Sequence, residues 1–461
     1  MSALLAMVVA LVADDAATLR ASPRSSAPVQ AQLSRGDWLE VRGEVPGYLK
    51  VYDHRRERPG YVRPEQLRVH ADDAAQGPAL RALVAFLRDA PGFESLGIGY
   101  AALALRADPQ ASATALQAAI GAMAERLAER ASQRSHPDPV LAAHRAVAES
   151  YGVHFVDQEA ASAVRVCYDG RAFRAVLASA DAAPDERARA ALALTSDRCA
   201  DPATLPASVS AWNDWRLEVL QGEPGPSRQG HLLRLRRAGI LAARAYQRAR
   251  EGDAASARSA AQAAARDLAL ADPTQLAESD LPARSQAAIA VAASRFAAEA
   301  APAPLASKRS RLELRVGRPG ETCISVVADG ETRLSRCTWG LAWQASARDR
   351  GLTLTLAVQL APAWTELWVF RRVRGAWRAD ILAPGSDSAG PGYAEAAGFS
   401  PDGSRLLVAR EALVQGQVQR RFEVRRASDL RVLASAGSPE AIPGFARLAA
   451  PDWRGQTLAL R

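Results

Sequence analysis

Six histidines, His54, His70, His136, His144, His154 and His231, are the side chains best suited to proton transfer or metal ligation near neutral pH. Their spacing supports neither role. None stands in an HExxH or comparable ligand pattern, and Pro137 and Pro139 lie between His136 and His144, which breaks a shared helical face. A GxSxG nucleophile elbow and a phosphate-cradling P-loop are missing from the sequence. Gly97-Ile98-Gly99-Tyr100-Ala101-Ala102 matches a relaxed GxGxxA, but no strand precedes it and no acidic ribose-binding residue follows in a βαβ unit. Small residues at that spacing serve close helix packing instead. Carboxylate pairs such as Asp14-Asp15 and Asp72-Asp73 fall at domain edges, as solvated caps or linkers do. The chain is therefore expected to be no enzyme and to need neither metal nor cofactor, and its function is sought on surfaces.

The remaining reactive residues are four cysteines, which allow three connectivities. Cys167 and Cys199 lie in the helical middle of the chain and Cys323 and Cys337 flank a hairpin signal, so Cys167–Cys199 and Cys323–Cys337 are the expected bridges. The absence of a CxxC, and of any histidine beyond His231, argues against a metal site. Loops of this size each stabilise a fold by about 3–4 kcal/mol on the chain-entropy account. One geometric condition follows. If a two-residue Asp329-Gly330 turn closes the hairpin, Cys337 opposes Thr322 and faces away from Cys323, so the bridge demands an odd loop or a β-bulge.

Two local bridges fit an oxidising compartment. The N-terminus points the same way: Ser2 to Ala13 is an apolar run ended by Asp14-Asp15, with the length of a signal-peptide core and too short to cross a bilayer. It lacks a basic n-region, and a buried first strand is the alternative. Residues 1–13 are read as a leader and the protein as periplasmic or otherwise exported, with no transmembrane segment beyond that leader.

Among the 461 residues, 48% are hydrophobic and 23% charged, ordinary globular composition, and the length suggests about three domains. The formal charge of +8 invites a nucleic-acid reading. Lysine occurs only at Lys50 and Lys308, however, and acidic residues are interleaved with the arginines, so no single-sign stripe forms and nucleic acid is not expected.

The elements carrying these residues fall into three regions, a multidomain α+β chain. Residues 14–70 are strand-like: Leu19-Arg20 with Pro23, then Leu33 to Val41 around Gly36, Tyr48 to Tyr52, and Gly60-Tyr61-Val62. This stretch resembles the bacterial SH3-like domain, with its opening LRxxP, central LxxGxxLxV, K/R-V strand and closing GYV. The resemblance implies a small β-barrel acting as a binding or targeting module, in some cases for cell-wall glycopeptide. Alternation assigns Leu39, Val41, Leu49 and Val51 to the barrel core. Trp38, Tyr48, Tyr52 and Tyr61 are then candidates for an outward aromatic platform for a peptide or sugar, unless neighbouring helices cover them.

Residues 78–301 carry helical spacing, as in Leu80, Leu83, Val84, Leu87 and in Leu116, Ile120, Met123, Leu127. Helix 240–246, the break Glu251-Gly252-Asp253 and an Ala-rich helix 254–271 resemble a tetratricopeptide-type hairpin, so an all-α helical-hairpin domain is expected. Pro302-Ala303-Pro304 links it to an antiparallel β region at 308–461. There Gly351, Gly403 and Gly455 recur at a constant interval, each followed by apolar residues at three and five positions on. The stretch Phe399-Ser400-Pro401-Asp402-Gly403-Ser404-Arg405-Leu406-Leu407-Val408 with the later Arg421 to Leu433 resembles the blade of TolB-type β-propeller repeats. Three units fall short of the four that normally close a ring, which leaves an open assembly or a sandwich as alternatives.

The reading that follows is a non-enzymatic exported adaptor that binds protein or a peptidoglycan-derived ligand. A cell-wall hydrolase or hydrolase regulator is the alternative, because SH3-like domains often accompany such enzymes.

Overall fold

In the computed structural model, residues 8–71, 74–109, 113–132, 138–160, 163–200, 206–222, 224–299, 310–385 and 390–456 are described. The Pro302-Ala303-Pro304 linker, Asp72-Asp73, His136 and Lys308 lie outside them. Strands β1 (Val8–Val12), β2 (Thr18–Arg20), β3 (Val29–Gln32), β4 (Trp38–Val45), β5 (Tyr48–Asp53), β6 (Arg58–Val62) and β7 (Leu67–Ala71) form one antiparallel sheet in the order β3-β2-β6-β5-β4-β1-β7. Its two ends, β3 and β7, do not pair. The expected barrel is thus an open sheet, although Leu39, Leu49, Val51 and Val62 fill its core as alternation required, with Val41 packed against them.

At the apolar N-terminus, Val8–Val12 is a strand flanked on both sides, pairing with β4 through Leu11↔Trp38 and with β7 through Val9↔His70. Ala10 and Val12 point into the sheet core, whereas Leu11 points into a helical core on the other side. Asp14-Asp15 does end the run abruptly, as the first turn of the sheet. Asp15 accepts hydrogen bonds from Arg35 N (2.8 Å) and pairs with His144 Nε2 (2.8 Å).

That helical core is built from α1 (Gly77–Leu87), α2 (Glu94–Ala107), α3 (Ala113–Ser132) and α4 (Pro139–Ser150). Leu80, Val84, Leu87, Leu116, Met123 and Leu127 are buried in it, while Leu83 lies on the exposed side. The Gly97/Gly99 motif lies inside α2 and does the packing expected of it. A Cβ on Gly97 would meet Met123 Sδ at 2.3 Å, and one on Gly99 would meet Tyr151 Oη at 3.0 Å.

The helices and sheet are joined by the β3–β4 turn. Gly36 adopts φ +90°, and a Cβ there would strike the Ser95 backbone at 2.6 Å. Ser95 Oγ donates to the Arg35 carbonyl (2.6 Å) and Tyr151 Oη to that of Gly36 (2.7 Å). The wholly buried Glu94 is held by Arg126 (2.9 Å) and Arg130 (2.6 Å). Here the stretch expected to be all-α contains a hairpin, β8 (Phe155–Ala160) and β9 (Ala163–Tyr168), followed by α5 (Arg171–Ala178) and α6 (Pro184–Leu194). Cys167 lies on β9, and its bridge to Cys199 ties the hairpin to the segment after α6, Cα atoms 5.9 Å apart.

The chain folds as two compact units, residues 1–204 and 205–461, so the helical stretch is divided between them. The second unit starts with α7 (Pro206–Val219), α8 (Arg228–Arg250), α9 (Ala254–Leu270) and α10 (Leu281–Ser294). Helices α8 and α9 form the expected hairpin: Gly252 takes φ +84° at the break and Asp253 caps α9 by accepting from Ser256 N at 3.0 Å. Helix α10 is buried on all sides from Ala287 to Ser294, between α8 and α9 and a β-sheet, which its run of alanines permits.

Three strands, β10 (Ser310–Val316), β11 (Thr322–Ala328) and β12 (Glu331–Thr338), make a small antiparallel sheet. The tight Asp329-Gly330 turn is present, with φ of +53° and +82°, and so is the required bulge, between Val326 and Val327. The bulge restores Cys323 opposite Cys337, and the two are bridged.

Two four-stranded meanders follow: β13 (Leu341–Arg350), β14 (Thr353–Ala361), β15 (Trp364–Val373), β16 (Ala376–Leu382), and β17 (Gly392–Phe399), β18 (Arg405–Val414), β19 (Gln417–Arg426), β20 (Val432–Ala436). A short parallel pairing, Trp364↔Gly392 and Thr365↔Tyr393, joins them. Leu367 and Val369 of the first pack on Ala394, Ala396, Leu406 and Val408 of the second. Gly351 (φ +60°) and Gly403 (φ +71°) occupy the same turn in each, so two copies of the repeat are structurally alike. Asp402 is a turn residue, its carboxylate accepting from Ser400 Oγ (2.6 Å) and Ser404 N (3.1 Å), which lowers its pKa to about 2.

The third copy departs from the pattern. After α11 (Phe445–Leu448), Gly455 lies in α12 (Pro451–Gln456), and Leu458 and Leu460 lie outside the described residues. Pro451 starts that helix, and Trp453 is drawn into an aromatic group with Phe422 and Phe445, centroids 6.4 and 5.8 Å away.

Candidate ligand-binding face

Of the four aromatic residues singled out in the sequence, the structure joins two. Trp38 begins β4 and Tyr52 stands on β5 opposite Glu40. Between their rings sits His54, just past the end of β5. It stacks on Trp38 (centroids 4.9 Å, planes 11° apart) and meets Tyr52 edge-on at 4.8 Å.

Alternation places Glu40 and Arg42 on the same face as Trp38. A bulge between Val41 and Gly43 leaves Arg42 as the extra, unpaired residue of β4. Its guanidinium lies 4.0 Å from the Tyr52 ring centre and donates twice to Glu40, at 3.0 and 3.1 Å. Glu40 Oε2 lies 2.7 Å from His54 Nε2. Hydrogen bonds from Arg42, then His54, hold the Glu40 carboxyl below its ordinary range. The result is a ladder, Trp38–His54–Tyr52–Arg42, tied along its length by one carboxylate.

Tyr48 and Tyr61 are not part of it. Tyr48 is buried, with the Arg63 guanidinium 5.7 Å from its ring, and its hydroxyl has no hydrogen-bond partner among the described residues. Tyr61 is half-buried and stands opposite Lys50 and Arg20 across the sheet. The expected four-ring platform is therefore a two-ring ladder. Sequence reading missed Glu40, Arg42 and His54, although the first two share the alternation of Trp38 and the last follows Tyr52 by two.

This geometry also limits what the ladder can do. One face of Trp38 is taken by His54, one face of Tyr52 by Arg42, and Trp38 also packs against the helical core. A flat sugar ring finds little free aromatic surface. What faces solvent is a set of polar heads, Glu40, Arg42 and His54, suited to the charged and hydrogen-bonding groups of a peptide.

A second group of carboxylates, arginines and aromatics lies in the other unit, buried between β17–β19 and the helices. Trp453 Nε1 donates to Glu395 Oε1 at 2.7 Å, and Arg295 pairs with the same carboxylate and with Glu299 (3.3 Å). Glu411 is held by Arg420 at 2.8 Å, and burial still raises its pKa. Its place in the core makes it part of the packing.

No protein-family model, curated protein or solved structure matches the chain.

Proposed function

We propose that the chain is a non-enzymatic exported adaptor whose β4–β5 face binds a peptide or the peptide part of a cell-envelope glycopeptide. The observation that carries this reading is the Trp38–His54–Tyr52–Arg42 ladder, an aromatic support that leaves one carboxylate and two basic groups at its solvent edge. The sequence resemblance of residues 14–70 to SH3-like modules supports it, as does that of residues 308–461 to propeller-type repeats, which commonly present interaction surfaces. Two disulfides accord with export, and among the described residues no helix is long and apolar enough to cross a membrane.

The test is a pull-down of the full chain with purified peptidoglycan, repeated with Trp38→Ala and Tyr52→Ala. Retention that falls in both variants, without release of muropeptides, supports the adaptor. Release of muropeptides favours the hydrolase reading instead, and retention unchanged in both variants moves the site elsewhere. Mass mapping without reductant that finds four free thiols in native protein excludes export.

A further inference from the structure

The end of the β11–β12 hairpin brings together Glu321, Cys323 and Cys337, whose ligand atoms all lie within 4.8 Å of one another. Cys323 and Cys337 are directly opposite in the register, and Cys337 is exposed. Glu321 is turned onto them by a tight loop, in which Gly317 N donates to the Glu321 carbonyl (3.0 Å) and Glu321 N to that of Arg318 (2.8 Å). The Arg318 N–H also donates to Glu321 Oε2 at 3.0 Å, which orients the carboxylate as an outer-shell partner orients a metal ligand. Gly317 completes the arrangement. A Cβ there would lie 2.5 Å from Glu321 Oε2 and 2.9 Å from Cys323 Sγ, so its absence is what lets carboxylate and sulfur approach.

We infer that reduction of the Cys323–Cys337 bridge converts this hairpin end into a site for Zn²⁺ or a similarly soft divalent cation, bound by two thiolates and the Glu321 carboxylate. A dithiol supplies the electrons. One of its thiolates attacks Cys337 Sγ, forming a mixed disulfide and freeing the Cys323 thiolate. Its second sulfur then displaces Cys337, and the dithiol departs as a cyclic disulfide. Its two protons pass to the cysteines and are released again when the cation binds. Zinc bonds of about 2.3 Å to sulfur and about 2.0–2.2 Å to oxygen require only that the side chains rotate apart, and three ligands leave the fourth tetrahedral position to water. Arg315, opposite Cys323 on β10, is engaged by Glu313 at 3.0 Å. The other bridge serves as an internal control, because Cys167 is buried and no third ligand stands beside it among the described residues.

The experiment uses the full chain, with and without dithiol treatment followed by desalting, titrated with Zn²⁺ in a calorimeter and with Co²⁺ for its thiolate charge-transfer absorption. The reduced protein is expected to bind one cation and the oxidised protein none. Cys337→Ser should abolish binding and Glu321→Gln weaken it about tenfold or more. In wild-type reduced protein the bound cation should slow alkylation of Cys323 and Cys337 and leave the rates at Cys167 and Cys199 unchanged, a readout that needs no variant to fold. Absence of binding after reduction, unchanged binding in Cys337→Ser, or alkylation of Cys323 and Cys337 that the cation does not slow would each overturn the inference.

Discussion

Glu40 and Glu395 are both carboxylates held by an arginine and an aromatic residue, in two different parts of the chain, and they behave as opposites. Glu40 sits at the rim of a sheet with Arg42 and His54, where water can replace either partner. Glu395 is buried with Arg295 and Trp453 Nε1, where nothing can. The same residue types thus make a surface that can open for a ligand in one place and a fixed element of the core in the other. Burial, not composition, makes the difference, because a desolvated charge without its partner is far costlier than a solvated one.

The largest effect should come from breaking the buried pair. Arg295→Met leaves Glu395 uncompensated and is expected to cost about 3–5 kcal/mol in urea unfolding. Arg42→Ala should lower the unfolding midpoint far less, because the pair is solvated; a comparable loss in both variants would erase the distinction. Trp453→Phe keeps the ring but removes the donor to Glu395, for an expected loss of about 1–3 kcal/mol by the same measurement.

Acid titration sharpens the contrast by sign. Burial raises the folded-state pKa of Glu411, so its contribution to stability is present below the ordinary carboxylate range and is lost as pH rises through its folded value. The Glu40 pKa is lowered, so its contribution is present above that range and is lost as pH falls. Stability measured from pH 3 to 7 should therefore decline with rising pH for wild type relative to Glu411→Gln, and should increase relative to Glu40→Gln. Slopes of equal sign would reject the burial argument. Smallest of all should be the stability change in His54→Gln, whose main expected effect is reduced retention on peptidoglycan.

Much of the fold was legible where a local rule decides it. The glycine turns at Gly252, Gly351 and Gly403 follow from positive φ, and the inward Leu39, Leu49 and Val51 from strand alternation. The Cys323–Cys337 bridge required an odd loop or a bulge in advance, because pairing parity is a property of sequence distance, and the structure has the bulge. The β8–β9 hairpin was lost inside an Ala-rich helical stretch, though Val164-Arg165-Val166 alternates. The third repeat copy failed because spacing at Gly455 matched while Pro451 and Trp453 answered to other partners.

The candidate site divides in the same way. Trp38 and Tyr52 were visible as outward aromatics, but Tyr48 had the same pattern and is buried, since alternation cannot say what lies over a face. His54 lies beyond the strand and enters the ladder only through the path of the chain after β5.

What the sequence alone determined is the set of local conformations: which residues turn, which strands alternate, which cysteines could meet. Tertiary structure decided how Val8–Val12 packs. An apolar run with no alternation suits an exported leader or a strand covered on both faces, and the two are identical in local terms. One core lies under Ala10 and Val12 and another over Leu11, a packing that cannot be read locally because hydrophobic burial depends on surfaces brought from elsewhere in the chain.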